Sequence, residues 1–308
     1  MKILLILLLA INIYAKTSEK EGTAEKVYIA NINTMLIFTS EAGLSSGKYR
    51  FTKANFKMET YNLPFIYHFK PFYEKMNWFM NGGIGYSITK LDTKTTVNNF
   101  GNDITLDHDN KLQTYALGIG GGLRYKSDIG IDYLLGLGII YSRVGTSITP
   151  DDDVSDAIGD FFDKEYNNNY SYRLLLEAQY NGEYKDYKPY IKASYKWYQT
   201  ESSFSITALS GFSSQSDIMS LETGFETPEL FSYQGNNLTL EPYIKLNYLH
   251  GDVTSVVKFE RFLNTGILAY WNTPNNPSWI ERFYVEASTI KAEGLEGYNL
   301  GLGFSFDY

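Results

Sequence analysis

Residues 296–308, EGYNLGLGFSFDY, carry the chain to its end on strict alternation: Tyr298, Leu300, Leu302, Phe304, Phe306 and Tyr308 share one parity, and Asn299, Gly301, Gly303, Ser305 and Asp307 share the other. A period of two is the signature of a strand with two unlike faces. One face here is wholly large and apolar, while the other is small or polar. In a soluble protein the first face would meet a core. Against a bilayer it would meet lipid, and the second face would line a watery interior.

The other end of the chain helps to choose. In MKILLILLLAINIYAK, Lys2 precedes an apolar run from Ile3 to Ile13 and a small residue, Ala15. Residues 1–15 read as a cleaved secretory signal peptide, since the run is about half of the ~20 apolar residues that a membrane-crossing helix needs. The 308 residues contain no cysteine, so neither disulfides nor a lipid-modified thiol support the exported chain. A net charge of −8 and a pI near 5.0 argue against nucleic acid as a partner. Aromatic content of 16%, with 27 Tyr and only 8 Pro, is unlike soluble usage, and a mean hydropathy of −0.27 excludes a bundle of membrane helices. Tyrosine suits a boundary between apolar and wet surroundings. Membrane β-barrels place aromatic girdles at two such boundaries.

The terminal pattern recurs along the chain. Outward sets are predicted in 112–126 (Tyr115, Leu117, Ile119, Leu123, Tyr125), 129–143 (Ile131 to Tyr141), 168–181 (Tyr170 to Tyr180), 187–199 (Tyr187 to Trp197) and 236–249 (Leu238 to Tyr248). Further strands are expected at 31–40, 54–70, 77–90, 216–228, 255–271 and 278–291, with a bulge in 54–70 between Met58 and Tyr61. With 296–308 the count is about twelve. Connections alternate short and long, as the two sides of a barrel require: 91–111, 145–167 and 200–215 read as long outer loops, and HGDVTS at 250–255 as a short one. The fold class is therefore all-β: a transmembrane, antiparallel, up-and-down barrel over residues 31–308. Residues 16–30 read as a charged leader, either a short helix or a lumen plug.

These features resemble a bacterial outer-membrane β-barrel, and GLGFSFDY is similar to the aromatic-ended last strand that the barrel assembly machinery recognises, with Phe304, Phe306 and Tyr308 as that signal. About twelve strands behind a leader look like a solitary autotransporter translocator barrel without a passenger. The resemblance implies a monomer in the outer membrane of a Gram-negative bacterium, with lipid and lipopolysaccharide as surroundings and no cofactor. It also implies a lumen that is narrow, porin-like or plugged.

Inner faces carry charge at same-face spacing: Lys188, Lys192 and Lys196; Arg173 and Glu177; Glu222 and Glu226; Glu241 and Lys245. They would form either a selective lumen or cross-strand pairs that help to close it. Asp151, Asp152, Asp153, Asp156, Asp160 and Asp163 would offer weak cation binding, without the spacing of a built metal loop. His108 between Asp107 and Asp109 is the best candidate for a surface enzyme of protease or phospholipase type, though adjacent residues of an extended segment point opposite ways. The long outer loops would alternatively serve a receptor or adhesin. The run Gly118, Gly120, Gly121 and Gly122 keeps strand phase, so it leaves room in the lumen rather than cradling phosphate.

Overall fold

The computed structural model describes Ile32, Leu36 and residues 44–99, 102–149, 166–204, 211–273 and 280–306. Among these are the strands β1 (Leu44–Phe51), β2 (Phe56–His68), β3 (Met76–Asn99), β4 (Asn102–Lys126), β5 (Ile131–Thr149), β6 (Tyr166–Asn181) and β7 (Lys188–Phe204). They continue as β8 (Ser213–Glu226), β9 (Phe231–Tyr233), β10 (Asn236–Gly251), β11 (Arg261–Asn272), β12 (Ile280–Ala292) and β13 (Leu295–Phe306), with one short helix, α1 (Asp252–Val257). Twelve strands form a closed antiparallel ring in chain order, β13 pairing with β1, while the three-residue β9 hairpins onto the start of β10. Closure gives each of the twelve ring strands two partners, the condition for crossing a bilayer as β-structure. No helix among the described residues is long and apolar enough to cross one.

The outer face is the one the alternation predicts. Ile84, Leu117, Ile119, Leu137, Leu221, Leu246 and Leu300 are each more than half exposed, a continuous apolar surface far beyond what a soluble monomer shows. Aromatics flank it at both ends. Tyr61, Tyr86 and Tyr115 stand side by side in register across β2, β3 and β4, with ring centroids 6.2 and 4.9 Å apart. At the opposite end Trp271, Phe283 and Phe304 share a register row, and Tyr125 stacks on Tyr133. That second end, where β1 starts and β13 finishes, is called the near end. The far end carries the β1–β2 turn, the β12–β13 turn and α1.

The inner face departs from expectation. Its far part is apolar: Tyr49, Phe51, Phe56, Met58, Ile218, Leu249, Phe262, Ile290 and Leu295 pack with Val253 and Val257 of α1 and with Phe259. Phe51 stacks on Phe56 at 4.2 Å, and each such side chain contributes roughly 1.5–3 kcal/mol on leaving water. This explains the apparent slip in 54–70. The register of β2 runs unbroken against both neighbours, so there is no bulge; Phe56 and Met58 are simply apolar residues on the inside.

Three further expectations are corrected. The first strand is 44–51 rather than 31–40: Ile32 and Leu36, four residues apart and thus on one helix face, are helical and buried. The region 91–111 is mostly strand, because β3 and β4 continue pairing out to Asn99 and Asn102. Its β-branched residues favour pairing, and a hairpin beyond the bilayer needs no apolar stripe. Residues 252–257 form α1, and β11 begins only at Arg261, since the Val253 and Val257 side chains follow a helical spacing into the lumen.

Candidate functional site

Among the described residues, two of the three buried charged side chains, Glu222 and Lys245, lie in the lumen. Its near half is a cavity of about 1160 Å³, lined by Lys188, Lys192, Glu222, Glu226, Glu241 and Arg282 among others. Register creates the central group: Lys192 of β7 lies opposite Glu222 of β8, which lies opposite Lys245 of β10. Period-two alternation turns all three inward, so Glu222 meets Lys192 at 3.1 Å and Lys245 at 3.6 Å. The Tyr190 hydroxyl donates to the same carboxylate at 3.0 Å. Beside it Arg282 pairs with Glu226 at 3.3 Å, and the Thr239 hydroxyl donates to Glu226 at 2.8 Å. Glu241 lies beside Tyr190 and Tyr270. Lys188 faces Glu226 in register, and Lys196 lies level with Ile218 of the apolar cluster.

Arg173 and Glu177 share a face of β6 without pairing with each other. The Arg173 guanidinium instead reaches β3, donating to Asn81 at 2.7 Å. It passes over Gly120 and Gly138. A Cβ on Gly120 would stand 2.6 Å from the Leu137 carbonyl oxygen and 3.0 Å from Nη2 of Arg173. The glycine run on β4 therefore makes room for a charged side chain crossing the lumen. Charges that pair in alternating sign across strands neutralise one another, unlike the single-sign rings that select ions in a pore.

Beyond this polar half, Ile32 and Leu36 sit inside the barrel against Leu112, Val144, Tyr198 and Phe212. The Tyr198 hydroxyl donates to the Leu36 carbonyl at 3.4 Å. Sequence reading missed this apolar seat. Its only trace was the large apolar residues of inner parity near the far ends of β4, β5 and β7.

The other candidates are dispersed. His250 lies on the outer wall with Nδ1 3.2 Å from Asp217, and His68 lies at the near end of β2 beside Phe79. His108 pairs in register with Thr93, and its side chain falls outside the described residues, as do the acidic stretch from Asp151 to Asp163 and Tyr308. Phe304 is exposed on the outer face near the end of β13, and Phe306 is that strand's last residue. Among the described residues no group of three His, Asp or Glu side chains could hold a metal ion.

No protein-family model matches the chain, and no curated protein does. Solved structures match its fold. The β domain of the Bordetella autotransporter BrkA aligns with a TM-score of 0.53 and 12% identity, covering 86% of this chain and all of that one. The translocator domain of NalP from Neisseria meningitidis gives 0.53 and 10%, covering 90% and 93%. The transport unit of AIDA-I from Escherichia coli gives 0.53 and 10%, covering 90% and 98%. The fold is that of autotransporter translocator barrels.

Proposed function

We propose that this protein is an integral outer-membrane barrel of translocator type, kept shut by its own N-terminal segment together with α1. The observation that carries the reading is the burial of Ile32 and Leu36 inside the ring, ahead of the first strand, in a seat of inward apolar side chains. The fold shared with three translocator domains supports it. So does the self-neutralised lumen, where Glu222 holds two lysines. In this reading the near end faces the periplasm, where export delivers the chain, and the far end faces outside. Phe304 and Phe306, at the end of β13, then stand at the periplasmic rim as part of the assembly signal. The barrel acts as a conduit or scaffold rather than an enzyme.

Planar-bilayer recordings test the proposal by comparing the refolded chain from Lys16 with one beginning at Gly43. The longer protein should be closed and the shorter one should conduct. Steady conductance from the longer chain would refute self-plugging, and a soluble, detergent-independent monomer would refute the membrane reading itself.

A further inference from the structure

A file of basic residues crosses the outer wall on one half of the barrel. Register sets Lys291 opposite Glu296, Glu296 opposite Arg50, Arg50 opposite Lys57, Lys57 opposite Lys90, and Lys90 opposite Lys111. These positions share the parity of Tyr298, Tyr61, Tyr86 and Tyr115, so they lie on the outer face; Arg50, Lys57, Lys90 and Lys291 are exposed, and Lys111 is partly so. Five cations stand in file against one anion, in a chain whose net charge is −8. Among the described residues none of the five enters an ion pair, whereas Lys48 in the adjoining row is held by Glu59 at 3.4 Å. Like charges directly opposite on neighbouring strands repel. Lys57, Lys90 and Lys111 are three such neighbours, an arrangement that an external anion would relieve.

Their depth identifies the anion. Tyr61, Tyr86 and Tyr115 form one register row of the far girdle, and Lys57, Lys90 and Lys111 form the row four residues further toward the far end. Four residues span roughly 13 Å of strand, which is about 10 Å along the barrel axis at a tilt near 40°. The lysines thus stand one headgroup layer beyond the tyrosines that mark the apolar boundary. On the same strands, Ile84, Leu117 and Ile119 lie exposed beneath the girdle. Adjacent strands are about 4.8 Å apart, so the three lysines span about 10 Å, the scale of a single disaccharide headgroup. Asp92 and Asp109 are register partners two residues further toward the far end.

We propose that this stripe docks a phosphate-bearing glycolipid of the outer leaflet, with its phosphates on Arg50, Lys57, Lys90 and Lys111 and its acyl chains on the apolar belt below. The proposal rests on the membrane reading above. Continuity with the lipid-facing belt favours a lipid over a soluble polyanion, and confinement to one half of the ring makes it a site rather than a general surface charge.

Native mass spectrometry of the refolded barrel tests it. Bis-phosphorylated lipid A, dephosphorylated lipid A and phosphatidylcholine are offered in equal amounts, with EDTA present so that divalent bridges play no part. The parent should retain bis-phosphorylated lipid A preferentially. The triple variant Lys57→Gln, Lys90→Gln, Lys111→Gln should lose retention on the order of a hundredfold, at roughly fivefold per lysine near an anionic headgroup. Removing three near-end lysines (Lys70→Gln, Lys75→Gln, Lys185→Gln) should leave retention unchanged. Lys90→Glu alone gives a graded loss should the triple variant assemble poorly. Equal retention by parent and stripe variant would overturn the proposal, as would full displacement by inorganic phosphate at the lipid's concentration. A folded, detergent-embedded barrel without lipid A preference sinks this proposal only. A chain that never enters micelles as a barrel sinks the membrane reading as well.

Discussion

Replacing both Ile32 and Leu36 with aspartate should unseat the N-terminal segment. The two side chains are 1% and 4% exposed, and burying an aliphatic side chain contributes roughly 1.5–3 kcal/mol, so the pair supplies about 3–6 kcal/mol. Leu112, Val144 and Phe212 offer a carboxylate no polar partner and the Tyr198 hydroxyl already donates to the Leu36 carbonyl, so two buried aspartates would add a desolvation cost of comparable size. A loss of 3–6 kcal/mol changes the ratio of seated to unseated states by about 10² to 10⁴. A segment seated a hundred times as often as not would then be out at least half of the time. Two readouts separate seating from gating. Single-channel recording gives the open fraction. The chain has no cysteine, so Ile32→Cys provides a unique label whose reaction with a small maleimide reports whether the seat is occupied. Labelling should be slow in the single variant and fast once Leu36→Asp is added, with conductance appearing in step. Fast labelling of Ile32→Cys in the otherwise native chain would refute the seating. Fast labelling of the variant carrying Ile32→Cys and Leu36→Asp without conductance would show that α1 and its apolar cluster close the barrel alone, and the gating role would fall.

Glu222→Gln should destabilise the folded barrel by about 3–5 kcal/mol, because it removes the carboxylate that Lys192 and Lys245 share where all three side chains are largely buried; a urea midpoint in detergent reads this, and Glu222→Leu combined with Lys245→Met should cost less. An alanine at Gly122 would drive its Cβ into the Leu135 carbonyl oxygen and close against Gly136, so Gly122→Ala should impair β4–β5 pairing and sharply reduce the heat-modifiable folded band on gels, with an unchanged folded yield counting against the close approach. Lys53 pairs with Glu293 at 2.6 Å across the far-end turns, and its hydrogen bond and charge hold the Glu293 carboxyl below the usual carboxylate range. The pair's contribution is therefore present above the ordinary glutamate pKa and lost as pH falls through the lowered value. Lys53→Met should return Glu293 to ordinary titration by NMR while barely moving the unfolding midpoint, as expected of an exposed pair.

The outer wall was legible from the sequence because lipid contact is a local property. Strand parity alone decides whether a residue such as Leu300 or Ile119 faces the bilayer, and no knowledge of its neighbours is needed. Hence the strand number, the closure and the girdles could be read from alternation, as could the inward parity of Lys192, Glu222 and Lys245. Which inner residues meet was not legible. Arg173 bonds Asn81 across 92 positions, Tyr198 bonds Leu36 across 162 and Tyr49 bonds Asn299 across 250, and no short period records such pairs. The same blindness turned Phe56 and Met58 into an apparent bulge and assigned Ile32 and Leu36 to a strand. An apolar residue of inner parity looks like a broken pattern until the ring closes and supplies something for it to pack against. What the sequence alone determined was a membrane barrel. That its far lumen is filled, and by which residues, was decided only when closure brought distant inner faces together.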